Sequence, residues 1–228
     1  RFTDWRLKQS QKETVAEGAF VGIFFKQIWG YLAAGEGPRE GGHTCEPRYA
    51  VAGAGQRGGS GAADLALGHF GRAGVPEIPQ ALCEFKDVRS ALDKPQRRKG
   101  NDRSPVKQCA DYLKGAADAL FGNEPIQPSW GIVTDMNEFR LYWRKTMPAQ
   151  YQRFVLQPAP GEAAVSLLGE GDDAALQRFL FWKIFHRDTL LTTGGPSPHV
   201  RHARRCSPSS NTSRVAAASS ARASAPVR

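Results

Sequence analysis

Gly61-Ala-Ala-Asp64-Leu-Ala-Leu-Gly68, then Gln80-Ala-Leu-Cys-Glu84-Phe-Lys86-Asp87, then Gln108-Cys-Ala-Asp-Tyr112, follow one another in that order. Residues 62–70 and 79–88 read as two strands, with the Gly/Pro-rich stretch 71–78 as the turn between them. Alternate residues of a strand share a face, so Glu84 and Lys86 point together and Phe85 points away. Leu82 and Val88 extend the Glu84 face as apolar neighbours. Charges on an apolar floor are costly unless they are paired or bound to a metal. With Asp64 on the neighbouring strand, its carboxylate comes within reach of Glu84.

Two such carboxylates suit Mg²⁺, with Mn²⁺ as a substitute, because that ion keeps several waters and also takes phosphate oxygens. Lys86 is then placed to orient or deprotonate a water, or to stabilise developing charge. Gln108 and Tyr112 lie one turn apart on a helix over 104–121, which opens on Pro105 and stops at Gly122-Asn123. Each piece also has a bland reading. An acid-x-lysine pair commonly marks a solvated strand face, Asp64 a strand end, and Gln108 with Tyr112 a helix surface. The joint order of all of them raises the functional reading.

Between the second strand and the helix runs a basic connector, 93–107. Lys94, Arg97, Arg98, Lys99, Arg103 and Lys107 outnumber Asp93 and Asp102, a pattern that suits a phosphate backbone and also suits a solvated loop. Farther out, residues 11–33 read as a helix with Phe20, Ile23, Phe24, Gln27, Ile28 and Tyr31 at helical steps, and with Glu13 and Glu17 in its early turns. Arg48-Tyr-Ala-Val-Ala52 is a short strand candidate. Gly53-Ala-Gly55-Gln-Arg-Gly58 matches the letters of a dinucleotide loop, but runs into Gly59-Ser-Gly61 instead of a helix, which favours a plain connection. Residues 130–135, 139–143 and 151–156 read as further strands, the first two joined by a hairpin at Met136-Asn-Glu138, and 174–188 as a helix.

The 228 residues hold one ordinary domain. The formal charge is +9, but residues 201–228 carry six arginines and no acid, which leaves +3 for the rest. Global basicity is thus a weak argument for a nucleic-acid partner. Cys45, Cys83, Cys109 and Cys206 lack CxxC spacing, which disfavours zinc and fits a reducing, cytoplasmic setting. The longest apolar run, 19–25, is too short to span a bilayer, and no membrane partner is expected. The expected division is a folded domain over 1–193 and a Ser/Ala/Arg/Pro-rich tail over 194–228 that lacks the residues for a core and reads as disordered. The abrupt change of composition there reads as a frameshift or an artificial end, and Arg1 as a start inside a longer reading frame.

Asp64, Glu84-Phe-Lys86 and Gln108-x-x-x-Tyr112 together resemble the D…ExK…QxxxY order of the PD-(D/E)xK nucleases, in the form found in type I restriction subunits. Lys12-Glu13-Thr14, Phe24-Phe-Lys-Gln-Ile-Trp-Gly-Tyr31, Ala63-Asp64-Leu-Ala-Leu-Gly68 and Trp130-Gly-Ile-Val-Thr-Asp135 through Tyr142 are similar to the N-terminal region of type IIG restriction–modification enzymes. The resemblance spans about 10–193. It implies an α/β (α+β) restriction-endonuclease-like fold, a central mixed sheet flanked by helices. It implies Mg²⁺-dependent hydrolysis of double-stranded DNA, with Asp64 and Glu84 on the metal, Lys86 assisting the water, and Gln108, Tyr112 and a first-helix acid in support. That acid is Glu13 or Glu17, Glu13 being preferred for its Lys-Glu-Thr setting. No AdoMet-binding glycine motif and no Asn-Pro-Pro-Tyr/Phe is present, so the chain looks like a nuclease domain detached from its methyltransferase and target-recognition regions. Two alternatives stand beside it: a catalytically silent DNA-binding module, and a truncated fragment of a DNA methylase.

Overall fold

The strands predicted from period-two alternation assemble into one sheet in the computed structural model, which describes residues 13–37, 42–55, 58–71, 77–96, 102–119 and 128–191. These residues belong to one compact unit, Arg1–Gly194. The expected tail, 194–228, lies outside the described residues. The strands are β1 His43–Val51, β2 Gly61–Phe70, β3 Ile78–Phe85, β4 Trp130–Thr134, β5 Glu138–Trp143 and β6 Tyr151–Val155. They lie side by side in sequence order. All neighbours are antiparallel except β3 and β4, which run parallel. The sheet is therefore mixed, and a parallel pair needs a crossover. Helix α2, Pro105–Ala119, lies within that crossover. The remaining helices are α1 Glu13–Phe20, a π-helical continuation Val21–Ile28, α3 Asp172–Phe185 and the short α4 Arg187–Leu190.

Each face of the sheet has its own cover, as alternation along β3 shows. Ala81, Cys83 and Phe85 pack with Phe20, Phe24, Phe25, Trp29, Phe181 and Phe185. Leu82 packs with Tyr112, Leu113 and Ala116 of α2. Glu84 follows Leu82 at the next step of two and so belongs to the α2 face. The helix expected over 11–33 ends at Ile28, and its second half is wider than an α-helix: Trp29 N donates to Phe24 O at 3.0 Å, a five-residue step. Phe20, Phe24 and Trp29 recur at steps of four and five, and all three are fully buried. The wider turn keeps these rings on one side.

The glycine run that imitates a dinucleotide loop connects two antiparallel strands, β1 and β2, with Gly53 and Gly58 at positive φ. Gly61, where β2 begins, is forced by a close approach. A Cβ there would stand 2.8 Å from Tyr112 Cε1 and 3.1 Å from the Ala54 backbone. Gly61→Ala is expected to cost about 1–3 kcal/mol, read as a lower urea midpoint at unchanged slope.

Helix α2 begins as the sequence implies. Ser104 Oγ accepts from Lys107 N at 3.1 Å, and Pro105 occupies the first helical position, where a missing N–H costs nothing. At the far end of the chain, the helix expected over 174–188 breaks at His186, whose ψ of 138° is extended. No helix among the described residues is long and apolar enough to cross a membrane.

Candidate functional site

Asp64 and Glu84 approach one another through strand pairing. The β2–β3 register sets Leu65 opposite Cys83, so the next step sets Asp64 opposite Glu84. Both side chains are buried, Glu84 to 1% exposure, and so is Lys86 just beyond β3. Lys86 Nζ stands 2.6 Å from Glu84 Oε1 and donates to Phe85 O at 2.6 Å. Lys86 is itself anchored, its backbone N donating to Thr134 O at 2.9 Å. Asp64 Oδ2 accepts from Phe85 N at 2.7 Å. The three residues of the acid-x-lysine motif and the preceding strand's acid are thus bound into one cluster, with the backbone of Phe85 at its centre.

The edge strand and the first helix each add a group that the motif does not contain. Arg48 Nη1 donates to Asp64 Oδ1 at 3.0 Å, and Nη2 donates to Glu17 Oε2 at 2.9 Å. The β1–β2 register sets Arg48 opposite Asp64, and Arg48 adopts φ 54°, an uncommon value for a residue with a side chain. Glu17, on α1, is held above the usual glutamate pKa by burial, with Arg48 pulling down, Asp64 pushing up and Lys86 pulling down. It therefore shares the electrostatic field of the cluster. Of the two acids left open by the sequence, Glu17 is the one the structure ties to Asp64 through Arg48. The side chain of Glu13 lies outside the described residues.

On the α2 side, Gln108 Nε2 donates to Tyr112 OH at 2.5 Å. Tyr112 is buried, and its phenol pKa is raised first by desolvation and next by the Glu84 charge. Its proton is retained at neutral pH.

The basic connector divides. Arg103 donates to Ala54 O at 3.0 Å and to Asp111 Oδ2 at 2.9 Å, and Lys107 also pairs with Asp111. Arg103 thereby fastens the end of the connector to α2 and to the β1–β2 turn, while the Lys107–Asp111 pair lies within α2 itself. Lys94 is exposed. Arg97, Arg98 and Lys99 lie outside the described residues.

A second charged group, absent from the sequence reading, closes the other end of the row. Val133 of β4 pairs with Glu84 and with Arg140 of β5, which in turn pairs with Arg153 of β6. Arg140 Nη1 holds both oxygens of Asp93 at 2.8 Å, Arg140 Nε binds Glu138, and Arg153 donates to Glu138 Oε2 at 2.8 Å. Burial works against charge on Glu138, yet the hydrogen bonds of Arg153 and Arg140 and their charges outweigh it, and its pKa falls below the usual value. A lowered carboxylate pKa adds stability above the unfolded value that is lost as pH falls through the folded one. The melting-temperature gap between the parent and Glu138→Gln should therefore be full near neutrality and close as pH falls through and below the usual glutamate range.

Among the described residues no group of three or more His, Cys, Asp or Glu is arranged to hold a metal ion. The candidate donors are the two carboxylates of Asp64 and Glu84. Two carboxylates are a sufficient protein contribution for Mg²⁺, which fills its remaining positions with water and phosphate oxygens. Cys45, Cys83 and Cys109 are buried free thiols, and burial raises the pKa of each, to about 11 for Cys45. None has the character of a nucleophile. No family model, no curated protein and no solved structure matches the chain.

Proposed function

We propose that this chain is a Mg²⁺-dependent DNA endonuclease domain of a restriction–modification protein. One observation carries the reading. Asp64, Glu84 and Lys86 are buried together at the ends of two paired strands, and Lys86 is paired with Glu84 within 2.6 Å. A lysine on a solvated strand face would extend into water. Burial of a lysine and a glutamate beside a second acid is expensive, and such groupings concentrate where chemistry uses them. The same burial supports the nuclease reading over a silent DNA-binding module, which needs surface cations and not an enclosed acid pair.

Asp64 and Glu84 would hold the ion, which when bound supplies an acidified water and offsets phosphate charge. Lys86 presents an ammonium beside Glu84, where it stabilises negative charge on the reacting phosphoryl oxygens. Gln108 donates to the Tyr112 hydroxyl and so fixes its position on the α2 side of the site. Glu17 anchors Arg48 against the outer side of Asp64.

Arg48 fills the outer side of the acid pair with positive charge. Its side chain is 58% exposed, so its hold on Asp64 is worth little and yields easily to an entering cation. Arg48→Ala is expected to tighten Mn²⁺ binding by about two- to five-fold, measured by titration calorimetry.

The deciding experiment is incubation of supercoiled plasmid with the purified chain in Mg²⁺ or Mn²⁺, beside Glu84→Gln and Lys86→Met. Metal-dependent nicking by the parent and its loss in both variants supports the assignment. Equal nicking by all three overturns the site. DNA binding without nicking by any of them turns the reading to the silent module.

A further inference from the structure

Helix α3 departs from the pattern of a helix lying on a protein surface. Such a helix shows apolar residues to the core and polar ones to solvent. Ala174, Phe181 and Phe185 are buried as expected. The opposite side carries Leu176, Phe179 and Trp182, which are 54, 56 and 40% exposed. These three lie at successive steps of three, on one face. The rings are held in place: Trp182 Nε1 donates to Ile28 O at 3.1 Å, and its ring lies 4.9 Å from His186 and 6.4 Å from Phe179. Opposite charges flank the stripe, Asp172 and Asp173 in the first turn and Lys183 in the last. Arg187 follows at the start of α4.

We propose that this face joins two copies of the chain through antiparallel pairing of α3 with its two-fold mate. A two-fold contact sets residue i against j and j against i. With Phe179 on the axis, Leu176 of each copy meets Trp182 of the other. The acidic first turn then lies against Lys183 of the mate, Arg187 being paired with Asp188 of its own chain, and the two helix dipoles oppose. Parallel pairing would instead set the two acidic turns side by side. The apolar stripe exposes roughly 300 Å² per copy, comparable to the largest apolar patch of an ordinary monomer, which is often functional. That is well below the roughly 800 Å² per partner of a standard interface, so the dimer exchanges with monomer and grows with concentration.

Sedimentation equilibrium of the full chain, in reductant so that Cys206 forms no cross-link, tests this. The average mass should climb from that of one copy toward two across the micromolar range. Phe179→Glu should stay monomeric with an unchanged circular dichroism spectrum. Lys183→Glu should weaken association about tenfold, and adding Asp172→Lys and Asp173→Lys should restore it. A constant single-copy mass overturns the proposal, and so does a dimer that Phe179→Glu leaves intact. Should Phe179→Glu fail to fold, the charge reversal and its rescue decide: no weakening by Lys183→Glu overturns it.

Discussion

Replacing Glu84 by Leu and Lys86 by Met together leaves a protein at least as stable as the parent and removes metal-dependent plasmid nicking. The two side chains are 1% and 5% exposed and stand within 2.6 Å of one another. Exchanging a buried ion pair for neutral groups of similar volume is commonly neutral or stabilising by about 1–4 kcal/mol, because two desolvated charges are removed at once. Breaking the pair is different. Glu84→Ala leaves the Lys86 ammonium buried without its carboxylate and should cost about 3–5 kcal/mol, read from urea unfolding. Lys86→Met alone strands the carboxylate and should also destabilise. For cleavage the order changes: every variant lacking Glu84 or Lys86 loses about 10²-fold or more, whatever its stability.

That divergence separates a site from a structural pair. If the ion pair existed to hold the sheet together, the double variant would unfold more easily than the parent. A double variant clearly less stable than the parent, with nicking retained, would sink the catalytic assignment. Neighbouring groups sharpen the comparison. Tyr112 and Cys109 both carry the imprint of the Glu84 charge in their raised pKa values, desolvation being the larger cause for each. Neutralising Glu84 removes that contribution for both groups.

The architecture was legible where one chemical rule governs. Five strands, β2 to β6, fall within a few residues of the runs of alternating or β-branched residues that announce them. β1 was read only from Arg48 because Pro47 and Glu46 interrupt its pattern, and as an edge strand it tolerates a proline that an inner strand would not. The N-terminal helix was misjudged in length and kind. Phe20, Phe24 and Ile28 fit α-helical steps, while Trp29 fits the wider π turn, and which spacing wins is set by the aromatic core it must fill. Asp64, Glu84 and Lys86 came together as a strand register predicts. Arg48 was not legible at all, since its place depends on pairing opposite Asp64 and on a positive φ that no local signal for arginine announces. Glu17 and Glu13 share a helical face in sequence, and the reach of Arg48 from β1 to Glu17 is a contact that no local pattern announces. Arg103 and Lys107 read as cations open to a phosphate backbone; both pair with Asp111, eight and four residues on, a contact the basic run does not announce.

Phe20→Ala should be the most destabilising single truncation on the other side of the sheet, and it should reach the site as well. The Phe20 ring lies 5.0 Å from Phe24, 5.9 Å from Phe25, 5.3 Å from Phe85 and 5.7 Å from Phe139, and none of the five rings is exposed. Removing it opens a cavity walled by aromatic rings that cannot collapse without leaving their rotamers, and the expected cost is about 3–5 kcal/mol. Against a total of about 5–15 kcal/mol for a domain of this kind, that is a large share. Phe85 is the residue between Glu84 and Lys86, and its backbone N–H and carbonyl bond Asp64 and Lys86 respectively. Phe20 presses on Phe85 from below and thereby fixes the peptide units that orient the acid pair above. Phe20→Leu, which refills most of the volume, should recover most of the stability. In a double-mutant cycle of Phe20→Ala with Phe85→Leu, the paired loss should fall short of the sum of the two single losses by more than about 0.5 kcal/mol. Additive losses would mean that the Phe20 and Phe85 rings are held independently, and that Phe20 does not reach the acid pair through Phe85.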